Sequence, residues 1–277
     1  MTDPQFPRGV ALPAQTPLFW VSHKDRYLRQ LLIRDIEAIT KRELLVYFTD
    51  VDNTSAQIDV GDDQLLVELL QGAAGKPVDL MIETSGGFTD ATEKVCSLLR
   101  QMAPDLRVVV PRKAKSNGTV IALAGSSIVM STTSELGPID PWVLGGVPAE
   151  YILKQSNANP IHLQVAQSAS TQTKNLATML LQTGMLKGRD GKEIDAIVEK
   201  LATKSCYASH GSAIDRIEAK SLGLNVTDLE HSDDLWQKIW LLRTMYAYDC
   251  PRSNYGKLFE SSKASSAITV KPAAPAP

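Results

Sequence analysis

The chain has 277 residues, of which 43% are hydrophobic, and its 29 basic and 31 acidic residues leave a formal net charge of -2. This size suits an α/β domain with its own core, and the near-neutral charge argues against a nucleic-acid or membrane-surface protein. Three scattered cysteines, Cys96, Cys206 and Cys250, lack the spacing of a disulfide framework or a thiolate metal site. We therefore expect a soluble, cytoplasmic protein that uses no metal and no cofactor.

Short apolar runs alternate with amphipathic stretches in the first half of the chain. Four runs rich in β-branched residues predict strands: 43–49, 78–84, 107–111 and 127–131. Four segments before or between them predict helices: 26–40, 62–73, 89–102 and 117–125. Strands that are apolar on both faces and alternate with helices indicate a parallel sheet covered on both sides. After Pro141 the strand signals stop, and three more helices are predicted: 162–182, 192–204 and 233–247.

One domain, 26–260, accounts for most of the chain. It follows an N-terminal segment, 1–25, that has no leader-like pattern of cations and apolar residues. It precedes a tail, 261–277, that is rich in Ser, Ala and Pro and is predicted to be disordered. No apolar run approaches the roughly 18 residues needed to cross a bilayer.

A Gly-Gly pair follows the second predicted strand. In "IETSGGFTDAT", Gly86 and Gly87 stand between that strand and a helix. Backbone N–H groups in such a turn can point at an oxyanion, and glycine lets a substrate approach the chain closely. An ordinary turn between a strand and a helix has the same composition, so the pair alone does not decide between the two.

Ser116 precedes a predicted helix in "KSNGT". At a helix N-terminus the unpaired N–H groups and the dipole stabilise negative charge, which suits a serine nucleophile that attacks a carbonyl. A serine at this position is also a common N-cap. Position alone leaves both interpretations open.

Asp140 and His210 could complete a catalytic triad. Asp140 lies in "SELGPIDP", after the last predicted strand of the sheet, and sites in open α/β sheets lie outside the carboxyl ends of the strands. His210 precedes a short helix that would return the chain to the sheet. The other histidines are expected at the surface: His23, His162 and His231. The order Ser, Asp, His along the chain is compatible with a triad, because triads are defined by geometry.

Taken in order, these motifs resemble the Clp peptidase/crotonase superfamily. The Gly-Gly pair, Ser-Asn-Gly-Thr at a helix start, "LGPIDP" after a strand and "IEAKSLGL" further on are most similar to the serine dehydrogenase proteinase (SDH) branch, over residues 29–226. The resemblance implies an α/β, ClpP/crotonase-like spiral of βαβ units, here with a helical C-terminal extension. It also implies a serine peptidase or hydrolase that cleaves peptide or ester bonds.

The resemblance assigns the triad residue by residue. Ser116 takes the position of the nucleophile, Asp140 that of the acid and His210 that of the histidine. In the Clp peptidase the histidine occupies the loop that matches "GPIDP" and the aspartate lies ahead of "IEAKSLGL", so the two residue types are exchanged here. Gly211 follows the histidine where an acidic residue is expected.

The resemblance also assigns an oxyanion hole and substrate contacts. The N–H groups of Gly87 and Asn117 would hold the oxyanion, and Gly86 and Gly118 would contact the substrate. Ser85 stands before the glycine pair where relatives usually carry proline, a departure that could loosen the loop.

A Ser-Lys dyad is an alternative with the same nucleophile. Signal peptide peptidases of the superfamily use such a dyad, and Lys154 lies in a helix-like segment, "PAEYILKQ", downstream of Asp140. A lysine base must be desolvated. A solvated surface position is expected both for Lys154 and for Lys174.

Two further alternatives belong to other functional classes. A catalytically degenerate scaffold or binding module is one of them. A crotonase-like acyl-CoA enzyme is the other, but the only cations near the site that could bind the CoA phosphates are those of the loop before Ser116: Arg112, Lys113 and Lys115.

Members of this superfamily usually assemble, so the resemblance implies a homo-oligomer that acts on a peptide or protein substrate, with no nucleic-acid partner. Whether an ATPase or a membrane protein supplies the substrate is left open. An apolar set on the last predicted helix could pack within the protomer or against another subunit: Trp236, Ile239, Trp240 and Leu241.

Overall fold

The structure is a computed structural model that describes residues 16–270. Seven strands form the main sheet: β1 (Glu43–Thr49), β2 (Val78–Glu83), β3 (Leu106–Val109), β5 (Ser127–Met130), β9 (Val226–Asp228), β10 (Tyr255–Glu260) and β11 (Ser265–Thr269). Two small ladders pair β4 (Lys113–Ala114) with β6 (Glu135–Leu136) and β7 (Trp142–Val143) with β8 (Val147–Pro148). The order in the main sheet is β11-β10-β1-β2-β3-β5-β9.

Ten helices accompany these strands within residues 16–270. They are α1 (Pro17–Ser22), α2 (Lys24–Thr40), α3 (Asp62–Gly72), α4 (Thr89–Met102), α5 (Asn117–Ala122), α6 (Ala149–Leu153), α7 (Pro160–Thr183), α8 (Gly191–Ala202), α9 (Arg216–Ser221) and α10 (Asp234–Arg252). No helix in this range is long and apolar enough to cross a membrane.

The four predicted strands form the centre of the sheet. β1 pairs with β2, β2 with β3 and β3 with β5, all in parallel, and the helices α3, α4 and α5 lie between successive strands. Neighbouring residues of one strand pack into opposite cores. Leu80 belongs to the larger cluster with α3 and α4, whereas Met81 packs with Trp236 of α10. The sheet is therefore covered on both faces, as the apolar strands predict.

Strands also form after Pro141, which the sequence analysis did not predict. β9 extends the parallel sheet beside β5, and β10 pairs with β1 in the antiparallel direction. The apolar pattern did not predict β10 because this strand carries two buried charges. Lys257 Nζ lies 2.8 Å from Asp62, and the carboxylate of Glu260 lies 2.8 Å from Arg29. Buried charges that are paired in this way are compatible with a sheet interior.

The prediction of disorder from residue 261 is wrong over 261–270. Ser261 and Ala264 close a turn with a 2.8 Å backbone hydrogen bond, and β11 then pairs antiparallel with β10. An edge strand is held by backbone hydrogen bonds, so a segment rich in Ser and Ala can form one. Residues 271–277 lie outside the described part, as do residues 1–15 of the predicted N-terminal segment. Within that segment, α1 and the first residues of α2 are helical.

Candidate active site

Ser116 joins β4 to α5 in a backbone conformation that L-amino acids rarely adopt. Its φ is 52° and its ψ is -121°. Positive φ at a residue with a side chain costs on the order of 1–3 kcal/mol and is found most often at functional sites. The hydroxyl makes no capping hydrogen bond to α5. Ser116 is therefore not the simple hydrogen-bonded N-cap that the sequence also allowed, and its role as nucleophile stays a prediction.

Gly86 lets the Gly-Gly loop lie directly against Ser116. Its φ is +107°, and a Cβ at this position would stand 2.8 Å from the Cβ of Ser116 and 3.3 Å from the amide nitrogen of Asn117. No side chain fits in that space. Gly86 therefore permits a close contact with the segment that carries the serine, and its contact with substrate stays a prediction.

The two predicted oxyanion donors stand beside each other on this loop and on α5. The Asn117 side chain donates to the Gly87 carbonyl (2.6 Å), which links the two segments. The carbonyl of Gly86 accepts from Ile58, so the N–H of Gly87, in the same trans peptide, points away from Ile58. Within residues 16–270 neither this N–H nor that of Asn117 donates a hydrogen bond. Their role as oxyanion donors stays a prediction.

Gly118 has a packing role in this structure. Its N–H donates to the carbonyl of Lys115 (2.7 Å), and a Cβ there would lie 2.5 Å from the side chain of Thr84. Glycine at this position lets α5 lie against the end of β2. Its contact with substrate stays a prediction.

The fold brings Asp140 and His210, which are 70 positions apart, into hydrogen-bond contact. His210 Nδ1 and Asp140 Oδ1 are 2.8 Å apart. The other carboxylate oxygen, Oδ2, accepts from Trp142 Nε1 (3.2 Å) and lies 2.6 Å from Lys204 Nζ. The indole ring of Trp142 also packs against the imidazole, with ring centroids 5.0 Å apart. The imidazole is thus held by contacts on its nitrogen and on its face.

The carboxyl group of Asp140 is kept ionised by its neighbours. Burial by itself raises the pKa of this group, but the hydrogen bonds and positive charges of His210 and Lys204 lower it more, and the net pKa is below the ordinary value. A carboxylate in this state can orient an imidazole and stabilise its protonated form.

Side-chain contacts tie the serine loop to the loop that carries the histidine. Lys115 Nζ donates to the carbonyls of Leu136 (3.1 Å) and Ser212 (2.9 Å), which flank Asp140 and His210 in the chain. Thr119 of α5 exchanges hydrogen bonds with the backbone of Gly137. Among the described residues His210 is hydrogen-bonded to Asp140 but not to Ser116. Catalytic hydrogen bonds are often long before substrate binds.

The lysines considered as alternative bases are engaged elsewhere. Lys154 is 71% exposed and pairs with Glu150, and Lys174 Nζ lies 2.6 Å from Glu199. Neither is desolvated as a lysine base must be. Two of the three loop cations are also paired, since Lys115 lies 3.2 Å from Glu135 and Arg112 lies 3.6 Å from Glu83. These pairs weaken the case for a site that binds CoA phosphates.

Two residues that contact Asp140 were missed by the sequence analysis. Trp142 follows it by two positions in "IDPW", and Lys204 comes six positions before His210 in "ATKSCYASH". A tryptophan and a lysine at these places carry no motif of their own. Only the fold brings Lys204, two residues after the end of α8, to the carboxylate.

A cleft of about 300 Å³ adjoins the Gly-Gly loop. It is open to solvent and lies between the segment after β1 and the start of the loop. Its lining includes Asp50, Asn53, Gln57, Ser85, Gly86 and Gly87. Ser85, which stands where proline was expected, is exposed at its rim.

Comparison with known proteins identifies the family. The description "ClpP-like SDH-type serine proteinase" matches residues 33–253, most of the chain. The chain belongs to this family of ClpP-like serine proteinases, and it has the ClpP-like α/β fold that the sequence predicted.

Two curated relatives come from Methanocaldococcus jannaschii. The uncharacterized protein MJ0137 is 34% identical over 179 residues, which are 61% of this chain and 60% of that protein. The uncharacterized protein MJ1495 is 30% identical over 158 residues, which are 54% of this chain and 52% of that protein. The match therefore spans between one half and three fifths of the length of these relatives.

Two solved structures are also similar to this chain. ClpP1 from Listeria monocytogenes has 17% identity and a TM-score of 0.46, with 75% of this chain and 99% of that chain covered. A mutant of a membrane-bound stomatin-specific protease has 18% identity and a TM-score of 0.40, with 64% and 74% covered.

Proposed function

We propose that this protein is a serine peptidase that hydrolyses peptide bonds in a peptide or protein substrate through an acyl-enzyme intermediate, with Ser116 as nucleophile, His210 as general base and Asp140 as its partner. The observation that carries the proposal is the 2.8 Å hydrogen bond between Asp140 and His210, and the positive φ of Ser116 adds to it. Membership of the serine proteinase family supports it.

The reaction would begin when His210 takes the hydroxyl proton of Ser116 as its Oγ attacks the carbonyl carbon of the substrate. The carbonyl π electrons move to oxygen, and the N–H groups of Gly87 and Asn117 receive that negative charge. The C–N bond then breaks, and His210 returns the proton to the leaving amine. Water repeats the sequence on the acyl-enzyme, which releases the acid and restores the serine.

Labelling with a fluorophosphonate, read by intact mass, tests this assignment. The wild type is expected to gain one adduct, and Ser116→Ala to gain none, because its side chain has no oxygen to phosphonylate. Ser126→Ala is the matched control. Ser126 is an exposed serine that directly precedes β5, and its hydroxyl donates to the carbonyl of Leu106. Asp140→Asn and His210→Asn are expected to slow labelling at least about a hundredfold.

The same experiment separates this proposal from two rivals. A folded wild type that gains no adduct would favour a non-catalytic scaffold. A Ser-Lys dyad would leave the His210→Asn variant reactive. With histidine as base, the labelling rate should fall as the pH drops below about 6 to 7.

We further propose that the protein assembles into a homo-oligomer in the cytoplasm. Exposed apolar side chains support self-association: Trp142, Leu144, Val147 and Tyr151 on β7, the turn after it, β8 and α6, and Leu241 on α10. Trp236 and Ile239 of α10 are buried within the protomer, so only part of the apolar set on that helix faces outward.

A further inference from the structure

A lysine is buried against the carboxylate that orients His210. Lys204 Nζ lies 2.6 Å from Asp140 Oδ2, and the two side chains are only 8% and 3% exposed. The hydrogen bond to His210 uses the other oxygen of the same carboxylate. One carboxylate is therefore shared between the Lys204 ammonium and the imidazole of His210.

The backbone fixes Lys204 at this place. The amide of Ile139 donates to the carbonyl of Leu201 (2.8 Å), which joins the turn before Asp140 to the last turn of α8. The amide of Lys204 donates to the carboxylate of Glu150 on α6. The backbone at Lys204 is thus held from two sides.

We infer that Lys204 is a positioning residue that sets the pH range in which His210 acts as a base. This inference rests on the proposed function. Asp140 stabilises the protonated imidazole by its negative charge, and Lys204 cancels part of that charge. The protonated imidazole of His210 is therefore stabilised less than it would be beside a carboxylate without a second cation.

Other charged groups near the pair balance one another. On β4 and β6, Lys115 reaches the carbonyl of Ser212 but is paired with Glu135. On α6, Glu150 is paired with Lys154. Trp142 donates to Asp140 without carrying a charge. Among the described residues, Asp140 forms ion pairs with His210 and with Lys204.

The test is the pH dependence of fluorophosphonate labelling in Lys204→Met. Methionine keeps most of the apolar part of the side chain and removes the charge. The acidic limb of the pH–rate profile, where labelling slows as the pH falls, is therefore expected to move to higher pH by roughly one unit. Below that limb the variant would then label about tenfold more slowly than the wild type. Lys204→Arg retains the charge and should leave the limb in place. Trp142→Phe removes a neutral donor and should lower the rate without moving the limb.

An NMR titration of the histidine rings gives a readout that does not need activity. The His210 signal, assigned by its loss in His210→Asn, should titrate at higher pH in Lys204→Met than in the wild type. Equal midpoints in the two proteins would overturn the inference, even if labelling is slower. If the wild type never labels, the proposed function fails, and the titration still decides the role of Lys204. Lys204→Gln replaces Lys204→Met if the latter does not fold.

Discussion

At Ser116 the chain stores backbone strain in the residue that carries the proposed chemistry. A glycine adopts a φ of 52° without that strain, whereas an alanine keeps it. We expect Ser116→Gly to be more stable than Ser116→Ala by about 1 kcal/mol in urea unfolding, although neither variant can be labelled. Equal midpoints for the two variants would show that the conformation is not strained.

Asp140 is buried and paired, so its substitution affects the stability of the protein as well as its catalysis. The carboxylate has three partners on its two oxygens, so its removal by alanine would leave the Lys204 ammonium buried without a counterion. Breaking a buried pair from one side typically costs about 3–5 kcal/mol. Asp140→Asn also removes the charge, but its side chain keeps the shape and an oxygen that can accept a hydrogen bond from the Lys204 ammonium, so it is the better probe of catalysis.

At the scale of elements, the glycine loop after β2 and the start of α5 are positioned by mutual contact. Gly86→Ala would place a methyl group 2.8 Å from the Cβ of Ser116. We expect this variant to label about ten- to a hundredfold more slowly, because displacing the attacking group by about 1 Å has effects of that size.

Gly75→Ala is the matched control for this variant. Gly75 also has positive φ, +75°, but a Cβ there meets no atom within 4 Å. Both alanine variants should therefore lose about 1 kcal/mol of stability from the backbone conformation, and only Gly86→Ala should lose labelling. A similar loss of labelling rate in both variants would mean that the contact between Gly86 and Ser116 has no role in positioning the serine.

At the scale of the whole molecule, the free energy of unfolding should depend on pH because of the Asp140 carboxyl group. The pKa of Asp140 is lowered in the folded state, chiefly because the hydrogen bonds from His210 and Lys204 outweigh the effect of burial. Such a group contributes stability that is present above its unfolded value of 3.8 and is lost as the pH falls through the lower folded value. Urea unfolding at pH 5 and pH 3 should show a smaller loss in Asp140→Asn than in the wild type. An equal loss in both would contradict this linkage.

Assembly is the second prediction for the whole molecule. If the exposed apolar side chains of β7, β8, the turn between them and α6 form a subunit interface, light scattering should give a mass that is a multiple of the chain mass. Leu144→Asp should then reduce that mass, since a charge in an apolar interface is costly to desolvate. Leu18→Asp is the control, because Leu18 is also exposed but lies on α1. A monomeric wild type would contradict the proposal.

Much of the central fold could be predicted because its signals are local. β1 and α4 have the predicted bounds, and the apolar content of β2 correctly indicated a sheet covered on both faces. β10 and β11 could not be found in this way. The charges of Lys257 and Glu260 are neutralised by residues roughly two hundred positions away, and β11 is held by the backbone of its neighbour.

The sequence by itself determined the family, the central βαβ units and the candidate groups at the ends of the strands, because each of these depends on short motifs and on apolar periodicity. Only the tertiary structure decided which groups meet. It joined His210 to Asp140, placed Lys204 on the same carboxylate and left Lys154 at the surface. Contacts between residues far apart in the chain depend on how the helices pack on the sheet, and no local pattern of residues records that packing.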